Sequence, residues 1–64
     1  MAFAAVVART SPQGMEYLVH NNKGRAEWAA TADRADRFQT FRDATREAMR
    51  LPSTMRAYAL PAES

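Results

Sequence analysis

The chain has 64 residues and no cysteine, which allows one small domain and excludes disulfides and thiolate metal sites. A domain of this size buries only about 60 % of the surface its unfolded chain exposes, and a single histidine cannot build a typical zinc site, so pairing with a second copy is the remaining way to add stability. The net charge of +2, with arginine supplying eight of nine basic residues, permits an acidic or nucleic-acid partner without demanding one.

The chain opens with "MAFAAVVART". The apolar run at 2–8 suits a strand central in a sheet. It lacks the basic lead of a secretory signal, and no stretch reaches the ~20 apolar residues of a membrane span. The expectation is a cytoplasmic protein with no membrane contact. "TSPQG", 10–14, is turn chemistry, and "MEYLVH", 15–20, is a second strand. "NNKG", 21–24, is a hairpin signal, returning as strand 25–30.

Face purity selects a register for that hairpin. A four-residue loop sets His20 opposite Arg25, Tyr17 opposite Trp28 and Met15 opposite Ala30. Met15, Tyr17, Val19, Ala26, Trp28 and Ala30 then share an apolar face, while Glu16, Leu18, His20, Arg25, Glu27 and Ala29 lie on the other. A three-residue loop would pair Leu18 with Trp28 and mix the faces.

Residues 31–38, "TADRADRF", read as a polar connection with one helical turn. Thr40 then caps a helix over 41–51, with Asp43 three residues on as in a capping box and at the positive end of the dipole. Phe41, Ala44, Thr45, Ala48 and Leu51 form its inner stripe, Phe38 anchors its entry, and Met49 lies at the margin. Pro52 stops the helix. "MRAYAL", 55–60, is a last strand ended by Pro61, and "AES" reads as a frayed tail.

The predicted fold class is therefore α+β, in two layers: a four-stranded, mainly antiparallel sheet with one helix on one face, in the order β-β-β-α-β. A right-handed crossover sets the last strand parallel beside the first, in the order 4-1-2-3; the alternative places it beside the third. The uncovered face then carries Leu18, Ala29 and either Phe3/Ala5/Val7 or Ala4/Val6/Ala8, a patch that could pair two copies or seat a protein. An edge strand could also accept a partner strand.

Nothing in the sequence organises catalysis, and neither an enzyme nor a cofactor is expected. Gly14 and Gly24 belong to turns, and no nucleophile stands in a recognisable motif with His20. Asp33 and Asp36 read as solvated loop residues. Asp43 and Glu47, one turn apart, read as a solvated helix face rather than an acid–base pair. His20 reads as an exposed residue flanking a turn, with a pH-sensitive contact as the alternative.

Binding has better candidates. Arg42, Arg46 and Arg50, four apart, form one ridge of the helix. Asp43 can pair with Arg46 and Glu47 with Arg50, which leaves Arg42 unpartnered. The residues leave two readings open: a salt-laced solvent face, or a contact surface for an acidic partner or phosphates, with Arg56 joining the ridge. Tyr17 and Trp28 read as core, or as a stacking platform if they face outward.

The succession of hairpin, tryptophan strand, "A-x-x-F-x-T" lead-in, alanine-rich helix and a last strand ending at proline is carried here by Trp28, Ala35, Phe38, Thr40, Ala44, Ala48 and Pro61. Over residues 15–61 it resembles small phage and prophage proteins, among them the anti-CRISPR inhibitors. That resemblance implies a short, non-enzymatic protein that binds a CRISPR effector complex and blocks nucleic-acid access. Inhibitors that mimic DNA are strongly acidic and this chain is not, so its basic helix suits an acidic protein patch, guide RNA or steric blocking. The alternative is a nucleic-acid-binding accessory domain using Arg42, Arg46, Arg50 and Arg56 on phosphates.

Overall fold

A computed structural model of the chain describes residues 4–62. Strands β1 (Ala5–Ser11), β2 (Gly14–His20) and β3 (Ala26–Ala29) are followed by a 3-10 turn at Ala32–Arg34 and helix α1 (Phe41–Arg50). A second 3-10 turn at Ser53–Met55 leads to β4 (Tyr58–Pro61). The sheet has the order β3-β2-β1-β4 and is antiparallel throughout. The α+β two-layer architecture and the 4-1-2-3 order are as expected.

β1 sits three residues later than the apolar run suggests. Arg9, Thr10 and Ser11 continue the strand because each has a cross-strand partner, in Glu16, Met15 and Gly14. Arg9 Nη2 and Nε each lie 2.8 Å from Glu16 Oε1. The turn shrinks to Pro12–Gln13, closed by the Ser11 hydroxyl donating to the Gly14 carbonyl at 2.8 Å. Positions 2 and 3 of the expected strand lie outside the described residues, as do Glu63 and Ser64 of the expected frayed tail. Ala62 continues the ladder, its N–H donating to Ala4 O at 2.9 Å.

The second hairpin takes the register that face purity disfavours. Leu18 faces Trp28, Val19 faces Glu27 and Tyr17 faces Ala29. Asn21 decides it. Its Oδ1 accepts from the N–H groups of Lys23 and Arg25 at 2.9 and 3.0 Å, and Gly24 takes φ 78°, where glycine has no Cβ penalty. Asn21 N–H donates to Arg25 O, which leaves Asn22–Gly24 as a three-residue loop with a left-handed last residue. Face purity misleads here because the polar residues on Trp28's face are paired: Glu16 with Arg9 and His20 with Asp36. Tyr17 and Trp28 point to opposite faces, and Leu18 belongs to the helix side.

β4 runs antiparallel to β1, with Val6 facing Leu60, rather than parallel as the crossover suggested. The connector after β3 explains the direction. It carries the chain back along the sheet to Ala5 before α1 starts: Asp36 N–H donates to Leu18 O at 3.0 Å, and Phe38 exchanges both backbone hydrogen bonds with Ala5. This extra traverse reverses β4. Residues 36–38 thereby sit between β1 and β2, whose direct pairing ends at Ala8–Tyr17. Ala32 and Asp33 border the face of Val6, Tyr17 and Leu60, whereas Phe38 packs on the helix side. The connector thus passes from one face of the sheet to the other.

α1 begins as its cap dictates, with Thr40 Oγ1 accepting from Asp43 N–H at 3.0 Å, an interaction typically contributing about 1 kcal/mol. It lies over β1 and β4. Ala44, at 0 %, and Ala48, at 9 % exposure, meet Ala5, Val7 and Leu18, with Trp28, Phe38, Leu51, Ala57 and Ala59 around them. Phe41 does not join that stripe and is 53 % exposed, because Phe38 already packs against the core beneath the helix. No helix among the described residues is long and apolar enough to cross a membrane.

Candidate binding surface

The outer face of α1 follows from its inner one. With Ala44 and Ala48 turned to the sheet, a 3.6-residue period sends Arg42, Arg46, Met49 and Arg50 away from it. Met49 is 79 % exposed and is far from marginal: it stands outward among the arginines. Arg50 is 81 % exposed and reaches Glu47 at 3.8 Å, as the i,i+3 spacing predicts. The pair expected between Arg46 and Asp43 does not form. Arg42, Arg46 and Arg56 have no ion-pair partner among the described residues.

Arg56 reaches this region from the other side. The 3-10 turn at Ser53–Met55 ends on Arg56 in the left-handed conformation, φ 52° and ψ 39°, which costs a residue with a Cβ roughly 1–2 kcal/mol. Between the end of α1 and this turn lies an open groove of about 360 Å³, bounded by Ala48, Met49, Leu51, Pro52, Arg56 and Ala57. Arg56→Gly relieves the strain, while glycine's extra unfolded-state freedom returns ~0.4–1 kcal/mol. The expected net gain is about 0.5 kcal/mol, or 2–4 °C in Tm for a domain this small. Arg56→Ala removes the same side chain and keeps the strain, so its melting curve should match the parent. Calorimetry on the two variants separates backbone from side chain.

His20 is a working part of the fold rather than a free turn residue. Its Nδ1 lies 2.5 Å from Asp36 Oδ2, its backbone N–H donates to the same oxygen at 3.1 Å, and its Nε2 is 3.8 Å from Glu47 Oε2. Asp36 is accordingly a half-buried anchor, not a solvated loop residue, and Glu47 is drawn inward to link the helix to His20 at the end of β2. No three metal-ligating side chains converge among the described residues. Arg9 spreads over Trp28, 4.4 Å from the ring centroid, which holds the indole at the sheet margin.

The other sheet face is partly covered. Val6, Ala8 and Ala29 are buried, and a hollow of about 470 Å³ opens between Tyr17, Leu60 and Pro61 on one side and Asp33 and Arg37 on the other. Tyr58, 38 % exposed, places its hydroxyl 3.3 Å from Thr10 Oγ1. With Tyr17 here and Trp28 on the opposite face, the two rings form no common stacking platform.

Among these features, Arg42, Arg46 and Arg50 were readable from their spacing, whereas Met49's outward position, the Arg56 conformation and the groove were not. The tertiary turn after Pro52 creates them, and only "PST" following the helix hinted at a tight non-strand passage. No protein-family model matches the chain, and comparisons with curated proteins and with solved structures find no match. The fold and this surface therefore define it: a small two-layer α+β domain presenting a cationic helix with an exposed apolar residue.

Proposed function

We propose that the chain is a non-enzymatic binding protein that acts stoichiometrically, through the outer face of α1, by occupying the surface of a larger protein complex. The observation carrying this reading is Met49, a large apolar side chain 79 % exposed among Arg42, Arg46 and Arg50, two of which have no ion-pair partner among the described residues. Interfaces are enriched in methionine and arginine, and α1 sets both residue types outward together. The resemblance to the anti-CRISPR inhibitors makes a CRISPR effector complex the partner to test first, with blocked nucleic-acid access as the mode of inhibition. Its setting would be the cytoplasm, and monomer and homodimer both suit it.

A tagged protein should retain the effector complex and suppress its target-DNA binding, and the triple variant Arg42/Arg46/Arg50→Glu should weaken capture by about a hundredfold or more, since like charges across an interface cost several kcal/mol. Undiminished capture by that variant would remove α1 as the contact surface. The unpaired arginines favour one competing reading, direct binding to phosphates. Its signature is retardation of a duplex or single strand that falls steeply with salt, and the absence of retardation at low salt ends it.

A further inference from the structure

We infer that the groove at the end of α1 is where the partner anchors, and that the anchor is an acidic protein segment carrying one apolar side chain. This rests on the proposed role of the helix face and names the chemistry it recognises. Three observations combine. The groove, about 360 Å³, is walled mainly by Ala48, Met49, Leu51, Pro52 and Ala57, with Ser53 as its one neutral polar residue, a mostly aliphatic lining suited to an aliphatic or aromatic side chain. Its surroundings are cationic: Arg56 stands at its margin, Arg46 is Met49's neighbour three positions before it on the helix, and Arg42 lies one turn further back. Glu47, the last acidic residue of α1, is engaged with Arg50 and His20.

The third observation is the left-handed backbone that brings Arg56 there, at φ 52°. Glycine would relax that turn, and strain of this kind concentrates at binding sites. Charge selects an acidic occupant, and lining selects a protein one. Non-specific nucleic-acid sites stack bases on aromatic rings, and among the described residues no aromatic side chain borders this groove.

The test is a titration of the isotopically labelled full chain, followed by amide NMR, with two synthetic probes and one competitor class. The first probe is a short glutamate–alanine helical peptide with a central leucine. The second carries serine in its place. The competitor is a single-stranded oligonucleotide. The leucine peptide should shift the amide signals of Met49, Leu51, Arg56 and Ala57 saturably. The serine peptide and the Met49→Glu variant should each bind about tenfold or more weakly, as loss of a buried anchor does; Met49 is exposed, so that variant folds.

Equal binding of the two peptides, shifts mapping elsewhere, or no shift at all overturns the proposal. So does an oligonucleotide that moves the same four amides, or a concentration-dependent shift of them without peptide, which would mark a second copy as the occupant. If the effector complex is captured through the arginines while the groove stays silent to peptide, this inference fails alone. If the peptide seats and no effector complex is captured, the effector reading fails and this one stands.

Discussion

Leu18→Ala should lower Tm by about 15 °C or more, because it removes one of the two largest fully buried side chains among the described residues. Such truncations cost roughly 2–5 kcal/mol, transfer and cavity terms together. At ~0.05–0.15 kcal/mol per residue, a chain of this size has only about 3–10 kcal/mol to lose. The helix above Leu18 cannot collapse into the space easily, since it already approaches through Ala44 and Ala48. A thermal melt followed by circular dichroism checks the prediction and also the hairpin register. With a four-residue loop Leu18 would lie on the face away from Trp28, and the substitution would move Tm by only a few degrees. A shift that small would reject the register described above.

The second large effect is expected at Asp36. One carboxylate oxygen accepts from both the backbone N–H and the ring of His20, at 3.1 and 2.5 Å, and this fixture holds the connector in the sheet. Hydrogen bonds to charged groups contribute ~1.5–3 kcal/mol when buried. Asp36 and His20 side chains are each 34 % exposed, so solvent screening reduces the expected loss for Asp36→Ala to about 1–2 kcal/mol. Asp36→Asn keeps an oxygen acceptor and should recover part of that. Urea denaturation gives both values, and an unchanged midpoint for Asp36→Ala would mean that the backbone bonds of residues 36 and 38 hold the connector unaided.

What could be read in advance divides along a physical line. Local signals were sufficient for the helix start at Thr40, the stop before Pro52, both hairpins and the succession of elements, since each depends on residues a few positions apart. The central place of β1 followed from its two-sided apolar character, borne out by Val6 and Val7 both being buried. The failures were tertiary. Face purity assumed that polar residues avoid the helix side, but Arg9 with Glu16 and His20 with Asp36 find partners there. The direction of β4 depended on a return traverse by a polar segment with no strand pattern. Phe41 held a helical position on the inner side, yet Phe38 had taken the space.

The candidate surface shows the same division. The ridge of Arg42, Arg46 and Arg50 needs only a helical period. The groove beside it needs a turn whose strained residue is an arginine, and no local rule anticipates arginine at a positive φ.

The connector lodged between β1 and β2 also dictates an order of assembly. The outer half of that hairpin, Ser11–Gly14 to Ala8–Tyr17, closes over a two-residue turn and can zip from local contacts. Zipping must halt there, because the next rungs of β1 and β2 are reserved for residues 36–38. Ala5 and Leu18 keep open backbone groups until the chain has completed β3 and doubled back, and closing the Ala5–Phe38 bridge carries the loop entropy of all that lies between. Only then is the β1 side of the surface under α1 in place, with β4 to follow from beyond the helix. Committed folding therefore waits on the polar linker, the stretch with the least hydrophobic incentive to arrive early, and the Asp36–His20 contact acts as the catch that retains it.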